Sequence, residues 1–405
     1  MKKRFVLGLA LMVIISCAKK QEEKTGTMFK EDVTFLQEHT KVMILKSSDN
    51  LAQIAVLPDM QGRVMTSTAN GDDGLSFGWI NREHIASGEN NKHINAFGGE
   101  DRIWFGPEGG QFSLFFKKGD PFDLEHWWTP EPVNEIGYDI QEQGDDYIHF
   151  NKKMQLANYS DREFSVELNR VIRLMQKNNV NARFGYEFSA DLKMVAFESQ
   201  NTLSNIGQKA WEKESGLISI WILGMYNPSP ATTIVIPFNA GSEEDLGAKV
   251  NDAYFGTVPA DRLVVEDDVL FFSGDGEYRS KIGLSPLRAK NVLGSYDAAA
   301  KVLTLVSFTK PDGVFDYVNS MWEIQDEPYA GDVSNSYNDG PPSPGAKPLG
   351  PFYELETSSP AAALAPGESL LHTHVTVHIQ GDEAQLNEAA QHVLGVSLKE
   401  IVDAF

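Results

Sequence analysis

With 57 acidic against 35 basic residues, the 405-residue chain carries a formal charge of −22. Such a surface repels nucleic acid and anionic lipid headgroups, so a polyanionic partner would need a locally basic site. Cys17 is the single cysteine, which excludes an internal disulfide; the fold must rest on a hydrophobic core, which roughly 380 residues readily build.

The elements follow in chain order. Lys2, Lys3 and Arg4 precede an uncharged run over 5–15 that ends in Ile14-Ile15-Ser16-Cys17. The run is shorter than the about 20 residues that span a bilayer and fits the core of a secretory signal. A branched apolar residue, a small residue and a cysteine resemble a bacterial lipobox, so residues 1–16 read as a lipoprotein signal peptide and Cys17 as the lipidated residue. An ordinary signal with a chance cysteine is the plain alternative. Residues 17–30 are polar and read as a tether; acids close behind the cysteine resemble the surface-export signal of Bacteroidetes lipoproteins. The expected location is the cell envelope, on the outer membrane, with the membrane reached through the lipid anchor only.

Residues 31–39 read as a short entry helix. Short alternating runs at 54–57, 111–116, 147–150, 164–174, 217–223, 263–272, 302–308 and 370–379 read as strands. Turn clusters such as Ala69-Asn70-Gly71-Asp72-Asp73-Gly74 and Lys310-Pro311-Asp312-Gly313 separate them. Residues 382–394 place Leu386, Ala389, Ala390 and Val393 at helical spacing, and a second short helical segment follows at 397–405. The expected fold is all-β: one large antiparallel β-sandwich domain over 31–405, with a short C-terminal helical segment from about 382.

Four stretches carry residues suited to chemistry. The run 95–110 packs five glycines with Glu100, Asp101, Glu108, Arg102 and Trp104. Glu125-His126-Trp127-Trp128 offers flat apolar rings, which pack on the C–H face of a pyranose while polar tips fix its hydroxyls. Residues 321–350, with Trp322, Asp332, Asn335, Tyr337, Asp339 and Lys347, lack periodicity and read as a functional rim. Asp332, Asn335 and Asp339 are candidate calcium ligands there, although their spacing is not that of an EF-hand; no other cofactor is expected. Glu354 and Glu356 lie two apart on a strand and share a face, as paired carboxylates for acid–base work must. His372, His374 and His378 also share a strand face; a histidine-rich polar face is preferred to a zinc site. His93 is a lone polar candidate beside the glycine-rich run.

Glu356-Thr357, a proline soon after, and Pro366-Gly367-Glu368 opening a strand resemble the closing motif of the galactose mutarotase-like (aldose 1-epimerase) superfamily. Asp101-Arg102-Ile103 resembles that family's Asn-Arg-Ile, and His126 lies near the spacing of its first sugar-binding histidine. Residues 202–207 resemble its mid-domain strand and turn. The resemblance, nearest to a Bacteroidetes lipoprotein branch, implies a mutarotase-like supersandwich and an isomerase acting on a sugar anomeric centre. By it, Glu356 takes the O1 proton, His126 assists at the ring oxygen, and Arg102 holds a hydroxyl. Glu100, Asp101, Trp104, Trp127, Trp322 and Glu354 complete the expected carbohydrate site. The family's general-acid histidine has no counterpart between His149 and His372. Two alternatives therefore stand beside the isomerase: a non-catalytic surface glycan-binding lipoprotein, and a glycan lyase or hydrolase on the same fold.

Overall fold

The computed structural model of the protein describes residues 26–405. The signal segment, Cys17 and most of the 17–30 tether lie outside the described residues. No helix among those described is long and apolar enough to cross a membrane.

Three antiparallel sheets make up the fold, of ten, five and three strands. The ten-stranded and five-stranded sheets face each other, and period-two alternation decides what each presents. Along Ser369–Gln380, near the middle of the large sheet, Val375, Val377 and Ile379 point to one side. There they pack with Leu386, Ala389, Ala390 and Leu394 of the helix Glu383–Leu394. That helix begins where the Asp382 carboxylate accepts from the N–H groups of Ala384 and Gln385, and it stops at Gly395, whose φ of 81° suits glycine. A shorter helix, Leu398–Val402, closes the chain.

The opposite face of the same strand carries His372, His374, Thr376 and His378 into the layer between the sheets, all buried. His372 Nε2 and His374 Nδ1 meet Thr357 Oγ1 at 3.0 and 2.9 Å, and His378 Nε2 meets Glu100 Oε2 at 2.9 Å. Burial pushes the His372 and His374 imidazoles down to about 3 and about 4, so both are neutral. These histidines thus bond to hydroxyls and a carboxylate of the facing layer.

Two expected strands differ. Residues 263–272 form two strands, Leu263–Val265 and Val269–Ser273, paired to each other around a turn. Residues 111–116 form no strand. The Gln111 side chain instead donates to the Gln325 carbonyl and accepts from its N–H, at 2.8 and 2.9 Å. This satisfies the backbone of Gln325 and ties the loop to the segment around Trp322.

Candidate active site

The site is built on the face of the five-stranded sheet turned away from the large sheet. In order, its strands are Ser280–Leu284, Ser334–Asn338, Tyr353–Ser358, Ser219–Tyr226 and Arg102–Gly106. Tyr353 and Leu355 turn inward to the apolar layer. Alternation then sends Glu354 and Glu356 outward, and likewise Trp221, Leu223 and Met225 on the next strand. Register sets the outward residues in two neighbouring rows. One runs Lys281, Tyr337, Glu354, Met225; the next runs Gly283, Asn335, Glu356, Leu223, Arg102.

Ion pairs cross between the rows. Arg102 Nη2 reaches Glu354 Oε1 at 2.8 Å, and Lys281 Nζ reaches Glu356 Oε2 at 2.8 Å. Trp221 Nε1 also donates to Glu356 Oε2, at 2.8 Å. Gly283 makes room for this arrangement: a Cβ there would fall 2.1 Å from Asp332 Oδ2 and 2.5 Å from Asn335 Nδ2.

Above the sheet lies a cavity of about 500 Å³, lined by Arg102, Trp104, Glu108, Trp127, Trp221, Lys281, Trp322 and Glu354 among others. Its indoles are mutually supported: Trp104 meets Trp221 edge-on at 5.6 Å, and Trp127 stacks against Trp322 at 6.1 Å. The Arg102 guanidinium lies 4.3 Å from the Trp104 ring centre and the Lys281 ammonium 4.6 Å from that of Trp221.

The electrostatics are those of charges held out of water. Burial pushes the Glu354 carboxyl up to about 8; the Arg102 guanidinium opposes this and the neighbouring Glu356 adds to it. Burial also raises Glu108, against the pull of Lys281. For Lys281, burial works the other way, but the carboxylates of Glu356 and Glu108 outweigh it and raise the ammonium. Among the described residues, Arg102 Nε and Nη1 and Glu356 Oε1 are buried without a hydrogen-bond partner. A cavity wall thus holds a carboxyl that changes protonation near neutrality beside free guanidinium donors.

The expected site residues sort clearly by position. Arg102, Trp104, Trp127, Trp322 and Glu354 line the cavity, as does His93, whose Nδ1 pairs with the Trp127 carbonyl at 2.6 Å and whose ring stacks on Trp128. Glu356 lies one layer deeper, fully buried beneath Lys281 and Trp221. Glu100 and Asp101 belong to the layer between the sheets and not to the cavity. Their successive N–H groups both point to the Val64 carbonyl, at 2.8 and 3.3 Å, the pattern of a β-bulge. After it, Glu100 meets Ser67 and His378, and Asp101 pairs with Arg170.

His126 is a second correction. Its neighbours Leu124, Glu125 and Trp127 line the cavity, but its own ring turns back to Asp123 Oδ1 at 2.7 Å. That carboxylate raises the imidazole on a water-facing turn. The expected calcium ligands are apart in their bonding: Asp332 and Asn335 both meet Tyr254 OH, at 2.7 and 3.1 Å. Asp339 accepts from Tyr337 OH and Gly350 N–H, each at 2.9 Å. Among the described residues, no group of three or more His, Cys, Asp and Glu side chains is placed to hold a metal.

Sequence reasoning missed Lys281, Arg279 and Trp221 as site residues. Period-two spacing in Arg279-Ser280-Lys281 is the one local signal that two cations share a face.

The class defined here is an antiparallel β-sandwich with an aromatic, charge-paired cavity on the outer face of its smaller sheet. The chain belongs to a family of unknown function, DUF6786, whose model matches residues 27–405. No curated protein matches it. Its structure is similar to those of a putative aldose 1-epimerase from Escherichia coli (12% identity, 84% of this chain and 99% of that one, TM-score 0.48) and a galactose mutarotase-like protein from Lactobacillus casei (10% identity, 84% and 100%, TM-score 0.47). A putative mutarotase from Salmonella typhimurium is also similar (11% identity, 84% and 97%, TM-score 0.45).

Proposed function

We propose that the cavity binds a sugar and moves protons at its anomeric centre, as the sequence's resemblance to the aldose 1-epimerases implies. The observation that carries this reading is the Glu354 carboxyl, raised to about 8 and set among the indoles of Trp104, Trp127, Trp221 and Trp322. A carboxyl with that affinity for protons donates and recovers one near neutral pH, where an ordinary glutamate only accepts. The indole faces take the apolar side of the ring, and Arg102 Nη1 and Nε hold a hydroxyl.

The reaction needs two proton transfers. Glu356, through Oε1, takes the O1 proton while Glu354 gives its own to the ring oxygen. The C1–O5 bond opens to the free aldehyde, the C1–C2 bond rotates, and the two protons return on reclosure. Glu354 stands where the sequence pointed to His126.

NMR exchange between anomers, recorded with a panel of hexoses, pentoses and uronic acids, tests this. Acceleration by the protein, with a loss of about a hundredfold or more in Glu354→Gln and in Glu356→Gln, supports it. Acceleration that both variants retain sinks the assignment. One observation favours a second reading, glycan capture without turnover: Glu356 is wholly buried, with Lys281 and Trp221 already on one oxygen. Binding without exchange selects it.

We also propose that the protein works as a lipid-anchored component of the cell envelope, on the strength of the Cys17 motif. Metabolic labelling with an alkyne-tagged palmitate, lost in Cys17→Ser, is the expected result.

A further inference from the structure

Three acids at the cavity have direct donors: Glu354 is met by Arg102, Glu356 by Lys281 and Trp221, and Asp339 by Tyr337 and Gly350. One cation of the lining has no such direct partner. Arg279, the residue before Ser280–Leu284, is half-buried and lines the cavity two positions from Lys281. Among the described residues no carboxylate forms a direct ion pair with it, although it borders a cavity where Arg102 and Lys281 each have one. Its guanidinium carbon lies 3.7 Å from the centre of the Phe255 ring, with the Tyr337 hydroxyl beside it.

Glu108 and Asp339 act on Arg279 across the cavity without touching it, so its donors are not taken up by a direct ion pair. Stacking on Phe255 fixes the guanidinium plane, and the donors of a guanidinium lie along that plane. Arg102 adds Nε and Nη1, buried and unpartnered among the described residues. A neutral sugar offers hydroxyls alone, whereas an oxyanion meets the fork with two parallel charge-assisted hydrogen bonds.

We infer that the sugar carries an oxyanion, a uronic-acid carboxylate or a sulfate ester on a pyranose, and that Arg279 is the residue that reads it. The inference rests on the sugar-cavity reading and adds the substrate class.

Calorimetric titration of the protein with D-glucuronate, D-galacturonate and glucose 6-sulfate, beside D-glucose and D-galactose, tests it. The charged sugars are expected to bind about tenfold or more tightly than their neutral parents. The preference should weaken as salt rises. In Arg279→Gln the ratio should fall to near one, and in Arg279→Lys, which keeps the charge without the fork, to an intermediate value. The uronate and sulfate arms decide between the two oxyanions. Equal affinity for charged and neutral sugars, or a salt-independent preference that Arg279→Gln retains, overturns this inference and leaves the sugar cavity standing. Failure of every sugar to bind overturns both.

Discussion

Two regions of this protein bury titratable groups, and they do so to opposite ends. Between the sheets, His372, His374, His378, Glu100, Asp101 and Arg170 bond to one another and to Thr357, Ser67, Thr304 and Asn201, with Glu100 Oε1, Asp101 Oδ2 and His372 Nδ1 left over among the described residues. In the cavity, Arg102, Lys281, Glu354 and Glu356 form crossed pairs that leave Arg102 donors and a Glu356 oxygen over. The inner layer holds His372 and His374 neutral; the cavity holds a glutamate poised near neutrality. Burial does both, because it disfavours whichever form is charged. What differs is the setting: one group is enclosed between two sheets, and the other forms the wall of a cavity.

The largest expected effect breaks the inner layer. Arg170 and Asp101 are both fully buried as an ion pair, so Arg170→Met leaves an uncompensated carboxylate. Unfolding in urea should show a loss of about 3–5 kcal/mol. A loss near zero would mean that the layer tolerates an unpaired charge, and the contrast with the cavity would fall. In the cavity, Glu354→Gln should instead spare the fold while turnover drops by about a hundredfold or more, as anomer exchange reads directly.

The pH dependence of stability separates the regions without any substrate. His372 and His374 titrate at about 3 and about 4 when folded, against 6.5 as free groups. The unfolded chain therefore takes up their protons first as pH falls, and stability drops from pH 6.5 toward 4. The slope is about 1.4 kcal/mol per pH unit for each histidine, and His372→Gln should make it shallower. Glu354 has the opposite sign. Its folded value of about 8 lies above the free value of 4.5, so its contribution is fully present below 4.5 and is lost as pH rises toward 8. In Glu354→Gln, stability measured between pH 5 and 8 should lose that decline. An unchanged profile would show that Arg102 keeps Glu354 ionised. The smallest effect is expected from Trp127→Ala, with sugar affinity reduced by roughly five- to tenfold through loss of one stacking face.

Much of the architecture was legible locally. Period-two alternation marked the strands, including the one that turns Glu354 and Glu356 to a single face. Helical spacing around Leu386, Ala389, Ala390 and Val393 marked the C-terminal helix, and the structure bounds it with Asp382 and Gly395. Arg102, Trp104, Trp127 and Trp322 were singled out by composition, and the structure lines one cavity with all four.

Local pattern failed wherever a distant partner decided the outcome. The bulge at Glu100 and Asp101 depends on the Val64 carbonyl, and it turns two acids inward that simple alternation would not place together. His126 is held by Asp123 only three residues away, yet its distance from the chemistry depends on how the whole turn docks. The sequence by itself determined an antiparallel sandwich, its terminal helices and the face shared by Glu354 and Glu356, because alternation and capping act within a few residues. Only the tertiary structure decided that Arg102 answers Glu354 across 252 positions and Lys281 answers Glu356 across 75. Which strands lie side by side, and in what register, is set by packing across the entire sheet, and the cavity's chemistry is written in those pairings.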